Sequence, residues 1–377
     1  MKKFEMIVPC LFGLEAFVAR EVRALGIETD CVEDGRVCFS GGAEDMMRAN
    51  LWLRTGERVL IKVCEFYAED FDTLYNMTAA AAWSEYLPPD ARLQISGHCL
   101  KSQLSSHARC RAIIKKAIAD SIGKACGIDR LPEDGAPYPI RFSFFKNRIS
   151  ICIDTSGEGL HKRGYRRLSN AAPLRETIAA AMVYISRWRW EDELADPFCG
   201  SGTIPIEAAM IKRNIAPGLR RHFAFEEFSD FDTAAFERIK KEAVLAEKDV
   251  PLRITALDTD PECVKLAREN AAKAGVGEFI DIREGDAREY SPPERGGTII
   301  CNPPYGERLS DAKACEKLYR EIGRSFTRLN GWSYFILAAN DGFESLFGKP
   351  CLKKRKIYNG MLKCNIYQYP APRGQKK

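Results

Sequence analysis

Four short stretches of this sequence carry side chains whose types and spacing can do chemistry. The first is DPFCGSGT, from Asp196 to Thr203. It follows a short apolar run at 194–195 and opens onto residues 204–210, which read as a helix. Gly200 and Gly202 allow a tight turn and a close backbone approach to a ligand. A dinucleotide fingerprint requires a third glycine where Pro205 stands, and a phosphate loop requires Lys then Ser or Thr after its last glycine. Neither is met, so the turn suits a nucleoside without a polyphosphate. The acid at its start suits a cationic or amine-bearing ligand such as S-adenosylmethionine (SAM).

The second stretch, TALDTD, ends an apolar run at 254–257 with Asp258 and Asp260. A carboxylate at a strand end can accept two hydrogen bonds from ribose hydroxyls, and Asp258 is the better placed. Asp260-Pro261 reads as the start of the next helix, an N-cap followed by proline. The gap from Asp196 exceeds the roughly 20 residues of a simple βαβ unit, and the excess is an insertion at 212–249 rich in basic and aromatic residues. The third stretch is EGDA, Glu284 to Ala287, where Asp286 can accept from an adenine amine. A strand-end Asp standing alone is more often a turn residue, and it is the series of three that supports a ligand.

The fourth is CNPPYG, Cys301 to Gly306, after residues 298–300. Consecutive prolines, Pro303 and Pro304, fix the backbone and aim the Pro303 carbonyl. Asn302 adds a side-chain acceptor beside it, so the pair can hold both hydrogens of a base amine. Tyr305 offers a face on which a flipped base can stack. Catalysis then needs no nucleophilic side chain. It needs nitrogen, methyl and sulfur in line, with charge on nitrogen stabilised by the two acceptors.

Elements must position these groups. The second half alternates apolar strand-like runs (194–195, 254–257, 279–282, 298–301, 334–338) with helical stretches, which predicts a doubly wound, mostly parallel α/β sheet. The first half reads as α+β. A strand at 4–8 precedes a helix carrying Leu14, Phe17, Val18, Val22 and Leu25, closed by Gly26. A hairpin at 31–40 and a helix at 43–55 follow, then a helix at 74–83 and a strand at 93–97. An amphipathic helix at 105–122 comes next. Strands at 140–145 and 148–154 turn at Lys146-Asn147.

The 377 residues suffice for two or three domains with their own cores. Hydrophobic content of 45% and charged content of 29% suggest neither disorder nor a membrane protein. The N-terminus meets Glu5 and Glu15 at once, unlike a signal peptide, so a cytoplasmic location is expected. Fourteen cysteines without a C-x-x-C pair, and four histidines, give no metal-site spacing; they read as reduced core thiols. Net charge is only +5, but basic residues cluster at 109–124, 161–167, 212–221 and 353–356. Together they can form an electropositive face for nucleic acid; any one alone reads more simply as solvated surface.

At this point the chain resembles a known family. DPFCGSGT, D-x-D-P with AREN-A, GDA and NPPYGERL match class I SAM-dependent methyltransferases of the amino-group type. GLEAFVAREVRALGI, RANLWLRTGERV, SGEGLHKRGYR, NAAPLRETIAAA and IEAAMIKRNIAPGLRRHFAFE are similar to THUMP-domain RNA N2-guanine methyltransferases, the RlmL-like family. The resemblance covers nearly the whole chain. It implies a ferredoxin-like segment at 1–65, a THUMP RNA-binding module at 66–157 and a Rossmann-like methyltransferase domain at 158–377. It implies SAM contacts at Asp196, Phe198, Gly200, Gly202, Asp258, Asp286 and Ala287, with Thr177 on a helix at 173–182 near the donor's methionine end. It implies base contacts at Asn302, Pro303, Pro304 and Tyr305. SAM would be the cofactor, S-adenosylhomocysteine (SAH) the product, and no metal is needed. Phe228 stands where the family suggests Trp, and the second methyltransferase domain of the long bifunctional members is not seen in this sequence, so only the N2-guanine activity carries over.

RNA is the expected partner, ribosomal RNA first, with neither membrane nor DNA. Arg109, Arg111, Lys115 and Lys116 on the basic helix suit phosphate contact. So do Lys162, Arg163 and Arg166, and Arg220 and Arg221, the last two expected beside the flipped base. N2-guanosine methylation of 23S ribosomal RNA leads; the same reaction on tRNA, a DNA amino-methyltransferase, and a non-catalytic RNA-binding platform stand as alternatives.

Overall fold

The computed structural model describes residues 2–166, 174–292, 296–306, 309–360 and 362–371. Arg167, residues 168–173 of the HKRGYRR and NAAPLRET stretches, and the tail from 372 lie outside them. The chain divides into two compact units: Met1–Cys10, Ala19–Leu160 and His222–Lys240 form one, and Leu11–Val18, His161–Arg221 and Lys241–Lys377 the other.

In chain order the first half runs β1 (Phe4–Pro9), α1 (Glu15–Ala24), β2 (Cys31–Glu33), β3 (Arg36–Gly41), α2 (Ala43–Trp52), β4 (Leu60–Tyr67), α3 (Phe71–Ala79), β5 (Arg92–Leu100), α4 (His107–Cys126), β6 (Pro137–Phe145) and β7 (Arg148–Asp154). The strands make one seven-stranded sheet, β2-β3-β1-β4-β7-β6-β5, antiparallel except for β5 beside β6. β4 pairs with β1 on one side and β7 on the other, so the N-terminal segment and the THUMP segment share a continuous sheet. The hairpin at Lys146-Asn147 has both residues at positive φ (52° and 64°), the mirror-image turn that matches strand twist. α3 begins earlier than its apolar periodicity suggests, because Asp70 accepts from the Thr73 amide at 2.7 Å and starts the helix there. Trp83 falls in a separate 3-10 turn. Cys31 and Cys38 are register partners joined as a disulfide, which corrects the expectation of reduced thiols at this pair; the other cysteines form no disulfide.

The second half runs α5 (Glu176–Ser186), β8 (Glu193–Asp196), α6 (Thr203–Lys212), α7 (Thr233–Leu245), β9 (Ile254–Asp258), α8 (Pro261–Ala274), β10 (Ile280–Glu284), β11 (Gly297–Cys301), α9 (Leu309–Phe326), β12 (Trp332–Ala338), α10 (Phe343–Phe347), β13 (Lys353–Asn359) and β14 (Leu362–Tyr369). Its sheet is ordered β10-β9-β8-β11-β12-β14-β13. The first five strands are parallel, and an antiparallel hairpin closes one edge. Strand order reverses between β8 and β11, the place where such sheets open a crevice at their carboxyl ends. Fully buried Ile206, Ala256, Ile300, Ile336 and Leu337 fix the layers. Asp260 caps α8 with Pro261 behind it, and Gly275 ends it at φ 75°.

Candidate active site

A cleft of about 510 Å³ opens at the carboxyl ends of β8, β9 and β11, within the range of small-ligand sites. Asp196, Phe198, Gly200, Asp258, Asp286, Ala287, Asn302 and Pro304 all line it. Residues spread over more than a hundred positions meet there because each ends a strand or begins the following turn.

The glycine turn is built by hydrogen bonds to β9. The Cys199 amide donates to the Leu257 carbonyl at 2.8 Å, and the Gly200 amide donates to Asp258 at 2.9 Å. The other Asp258 oxygen accepts from the Asp260 amide at 3.0 Å. Asp258 therefore holds the turn, with lone pairs left for a ligand. Asp196 is 1% exposed, and one oxygen accepts from the Phe198 amide at 3.1 Å. Burial, with Asp258 adding to it, pushes its pKa well above the usual carboxylate value. Asp286 lies lower: its carboxylate accepts from the Arg288 side chain and from the Arg288 amide at 2.8 Å.

The two glycines do different work. A Cβ on Gly200 (φ 51°) would meet nothing within 4 Å, while one on Gly202 (φ 82°) would come to 3.1 Å from Ala267 Cβ and 3.2 Å from Ile206 Cδ1. Gly200 thus leaves ligand space. Gly202 lets α6 approach α8, and it does not line the cleft, contrary to expectation.

Asn302 stands on the opposite wall, its Oδ1 accepting from the Tyr305 hydroxyl. Tyr319 donates to the Pro304 carbonyl at 2.7 Å and pins the double proline. Tyr305 and Pro303 are not lining residues. Tyr305 packs against the apolar core, and burial raises its pKa. It is a support for Asn302 rather than the stacking face expected. Thr177 is buried and is not among the lining residues, whereas Leu174 and Thr203 are. Arg288 and Leu318 line it too, and nothing in their local sequence marked them.

The structure corrects several basic residues. Arg163 is 2% exposed and paired with buried Glu207 at 3.1 Å. Arg166 pairs with Glu176 at 3.5 Å and donates to Thr203, so its charge braces the cleft loop. Lys162 is exposed. Arg220 and Arg221 are not beside the cleft. α6 carries the chain about 15 Å away from it. Beyond that, Arg213 pairs with Asp249 ahead of β9, Arg220 lies against Gly275 at the end of α8, and Arg221 donates to the Lys162 carbonyl at 3.0 Å. This is the amino-terminal edge of the sheet. On α4, Arg109, Arg111 and Lys116 are exposed, and Lys115 pairs with Glu133 at 2.8 Å. The basic run at 353–356 is part of edge strand β13.

The cleft fits SAM on its own terms. A buried carboxylate suits the donor's ammonium, open space over Gly200 suits close approach, and Phe198, Ile204 and Leu318 give apolar walls. Acids that can hold a cationic donor, facing an amide acceptor across one cleft of a doubly wound sheet, make this a class I SAM-dependent methyltransferase.

Comparison with known proteins gives the family. Residues 163–368 match the model described as RMKL-like, methyltransferase domain; 5–60 match the RlmL ferredoxin-like domain and 68–154 the THUMP domain. YpsC of Bacillus subtilis (strain 168), named provisionally as an RNA methyltransferase, is 42% identical over 374 residues, covering 98% of this chain and 96% of its own. A ribosomal RNA large subunit methyltransferase K/L of Psychromonas ingrahamii is 35% identical over 373 residues, 96% of this chain and 49% of the relative. The chain thus spans about half the length of the K/L relatives it matches. The crystal structure of SMU.472, provisionally a methyltransferase and solved with SAH, is 39% identical with a TM-score of 0.93, covering 100% of both chains. The chain belongs to the RMKL-like methyltransferase family, with RlmL ferredoxin-like and THUMP domains ahead of the catalytic part. Among the described residues no helix is long and apolar enough to cross a membrane, and no group of three or more His, Cys, Asp or Glu could hold a metal.

Proposed function

We propose that this protein is an RNA methyltransferase of the RlmK/L type that methylates the exocyclic N2 amine of a guanosine in 23S ribosomal RNA. The observation that carries the reading is the placement of Asn302 in the same cleft as Asp196 and Asp258. SAM supplies an electrophilic methyl on a sulfonium. Asp196 pairs with the donor's ammonium, and Asp258 accepts from its ribose. Asn302 Oδ1 keeps one lone pair after accepting from Tyr305, and that lone pair accepts an amine hydrogen of the base. The other hydrogen is left to a backbone carbonyl of the rigid double proline, whose Pro304 lines the cleft. A nitrogen held this way points its lone pair at the methyl; the N–C bond forms as the S–C bond breaks with its electron pair to leave neutral SAH, and the cationic methylated nitrogen then loses one proton to water. The THUMP domain, with exposed Arg109, Arg111 and Lys116 on α4, grips the RNA backbone.

The K/L names of relatives matched over this chain's length support ribosomal RNA over tRNA. The test is methyl transfer from labelled SAM into 23S ribosomal RNA, tRNA and DNA that lack modification, followed by digestion and nucleoside mass spectrometry. N2-methylguanosine from the ribosomal RNA is expected. Label only in tRNA moves the substrate; N6-methyladenosine moves the acceptor; no label from folded, SAM-binding protein leaves an RNA-binding platform.

A further inference from the structure

Cations recur along α9 at Lys313, Lys317, Arg320 and Arg324, all exposed. At 3.6 residues per turn their i, i+4, i+7, i+11 spacing confines them to a strip about 60° wide and about 16 Å long. The acids nearby, Glu316 and Glu321, cancel it only in part, leaving two of the four cations unmatched among the described residues. Lys317 lies 3.8 Å from Glu321 and Arg320 3.4 Å from Glu316, surface pairs worth little in water. Lys313 and Arg324 make no ion pair among the described residues. Helix stability does not account for the row either: Lys313, near the amino end, gains nothing from the helix dipole.

One end of the strip borders the cleft. Leu318 is one residue from Lys317 and lines the cleft itself. Glu321 pairs at 3.2 Å with Arg288, another lining residue, and Tyr319 holds the Pro304 carbonyl. The row thus starts beside the cleft at Lys313 and Lys317 and, because α9 runs antiparallel to the β11 and β12 strands it connects, leads away from the cleft towards the amino-terminal edge of the sheet. We propose that it is a phosphate track, holding the RNA backbone that flanks the target nucleotide. Along one strand of duplex DNA phosphates recur every roughly 3.4 Å of axis, which sets about five as the scale for a strip of this length. This rests on the RNA methyltransferase reading and places the catalytic unit's own RNA contacts on α9, not on Arg220 and Arg221.

The test combines Lys313→Gln, Lys317→Gln and Arg324→Gln in the full chain, beside the arginine-retaining pair Lys313→Arg with Lys317→Arg. RNA binding is followed by fluorescence polarisation across salt concentrations, separately from methyl transfer, and SAM affinity by calorimetry. The glutamine variant should lower the slope of log affinity against log salt by about 2 to 3 and raise the RNA KM roughly tenfold at low salt. Its kcat at saturating RNA and its SAM affinity should match wild type, and the arginine pair should keep the full slope. An unchanged slope and KM in a folded glutamine variant overturns the track, including the case where the row serves a protein partner. Wild-type protein that binds RNA yet methylates none overturns the methyltransferase reading instead.

Discussion

At Asp196 the donor's requirement and the fold's preference oppose each other. Its carboxyl is buried and its pKa sits well above the usual value, so the folded state binds more protons than the unfolded one. Stability of the ligand-free protein therefore falls as pH rises from the unfolded towards the folded pKa, and the penalty is complete above the latter. Donor affinity moves the other way over that window, since only the carboxylate pairs with an ammonium. Asp196→Asn should raise the melting temperature of the free protein at neutral pH, weaken SAM by about 10- to 100-fold, the worth of ~1.5–3 kcal/mol, and flatten its pH dependence. Melting and calorimetric titration over a pH series check both signs. Asn302 predicts a different split. Asn302→Ala should cut kcat by about two to three orders of magnitude with SAM affinity nearly intact. Tyr305→Phe removes only the hydroxyl that orients the amide and should cost less. Single-turnover rates beside SAM titrations read this; a Tyr305→Phe loss equal to that of Asn302→Ala would make the phenol part of the chemistry.

Elements show which parts of the sequence were legible. Strand-end acids, the glycine turn and the Lys146-Asn147 hairpin were readable because each depends on residues within a few positions of one another. Asn359-Gly360 is a comparable signal for the β13–β14 hairpin, with Gly360 at φ 64°, and the lysines of β13 mask it because a basic run reads equally well as solvated surface. The roles of the arginines were not legible, since they depend on partners far along the chain. Arg163 meets Glu207, which lies 44 residues on, in the interior. Position relative to the cleft was equally hidden for Arg220, because the length of α6 decides it. The Arg163–Glu207 pair gives an element-scale prediction. Glu207→Ala strands a buried guanidinium and should cost about 3–5 kcal/mol in denaturant unfolding, through the seat of α6. Arg163→Met, which removes its own charge, should leave the salt dependence of RNA binding at its wild-type slope. A changed slope in a folded Arg163→Met protein would return that residue to the RNA surface.

For the whole molecule, the chain order and the compact units do not coincide. The polypeptide passes between the two units five times, and the insertion recognised at 212–249 contributes His222–Lys240 to the unit that holds the THUMP sheet. Phe228 stacks on Tyr138 of β6 with ring centroids 4.4 Å apart, and the Ser229 amide donates to the Tyr138 hydroxyl at 3.1 Å. Phe223, Phe225, Phe231 and Phe236 pack on one another behind it. Arg238 reaches Glu44 at 2.6 Å. The departure from Trp at position 228 thus keeps an aromatic where a stacking partner waits. A cut at 157/158, natural from the sequence, leaves this aromatic cluster on the catalytic fragment without its Tyr138 cover. A fragment of residues 158–377 should therefore bind the apolar dye ANS and aggregate, and adding residues 1–157 in trans should suppress both. Replacing residues 222–240 of the fragment by a short polar linker, with Leu11–Val18 supplied as a fused or added peptide because buried Leu14 belongs to the catalytic core, should restore solubility and SAM binding together, since the donor cleft draws none of its lining from 222–240. A soluble, dye-silent fragment 158–377 would show that the aromatic cluster folds without the THUMP sheet and that the sequence boundary is also the physical one.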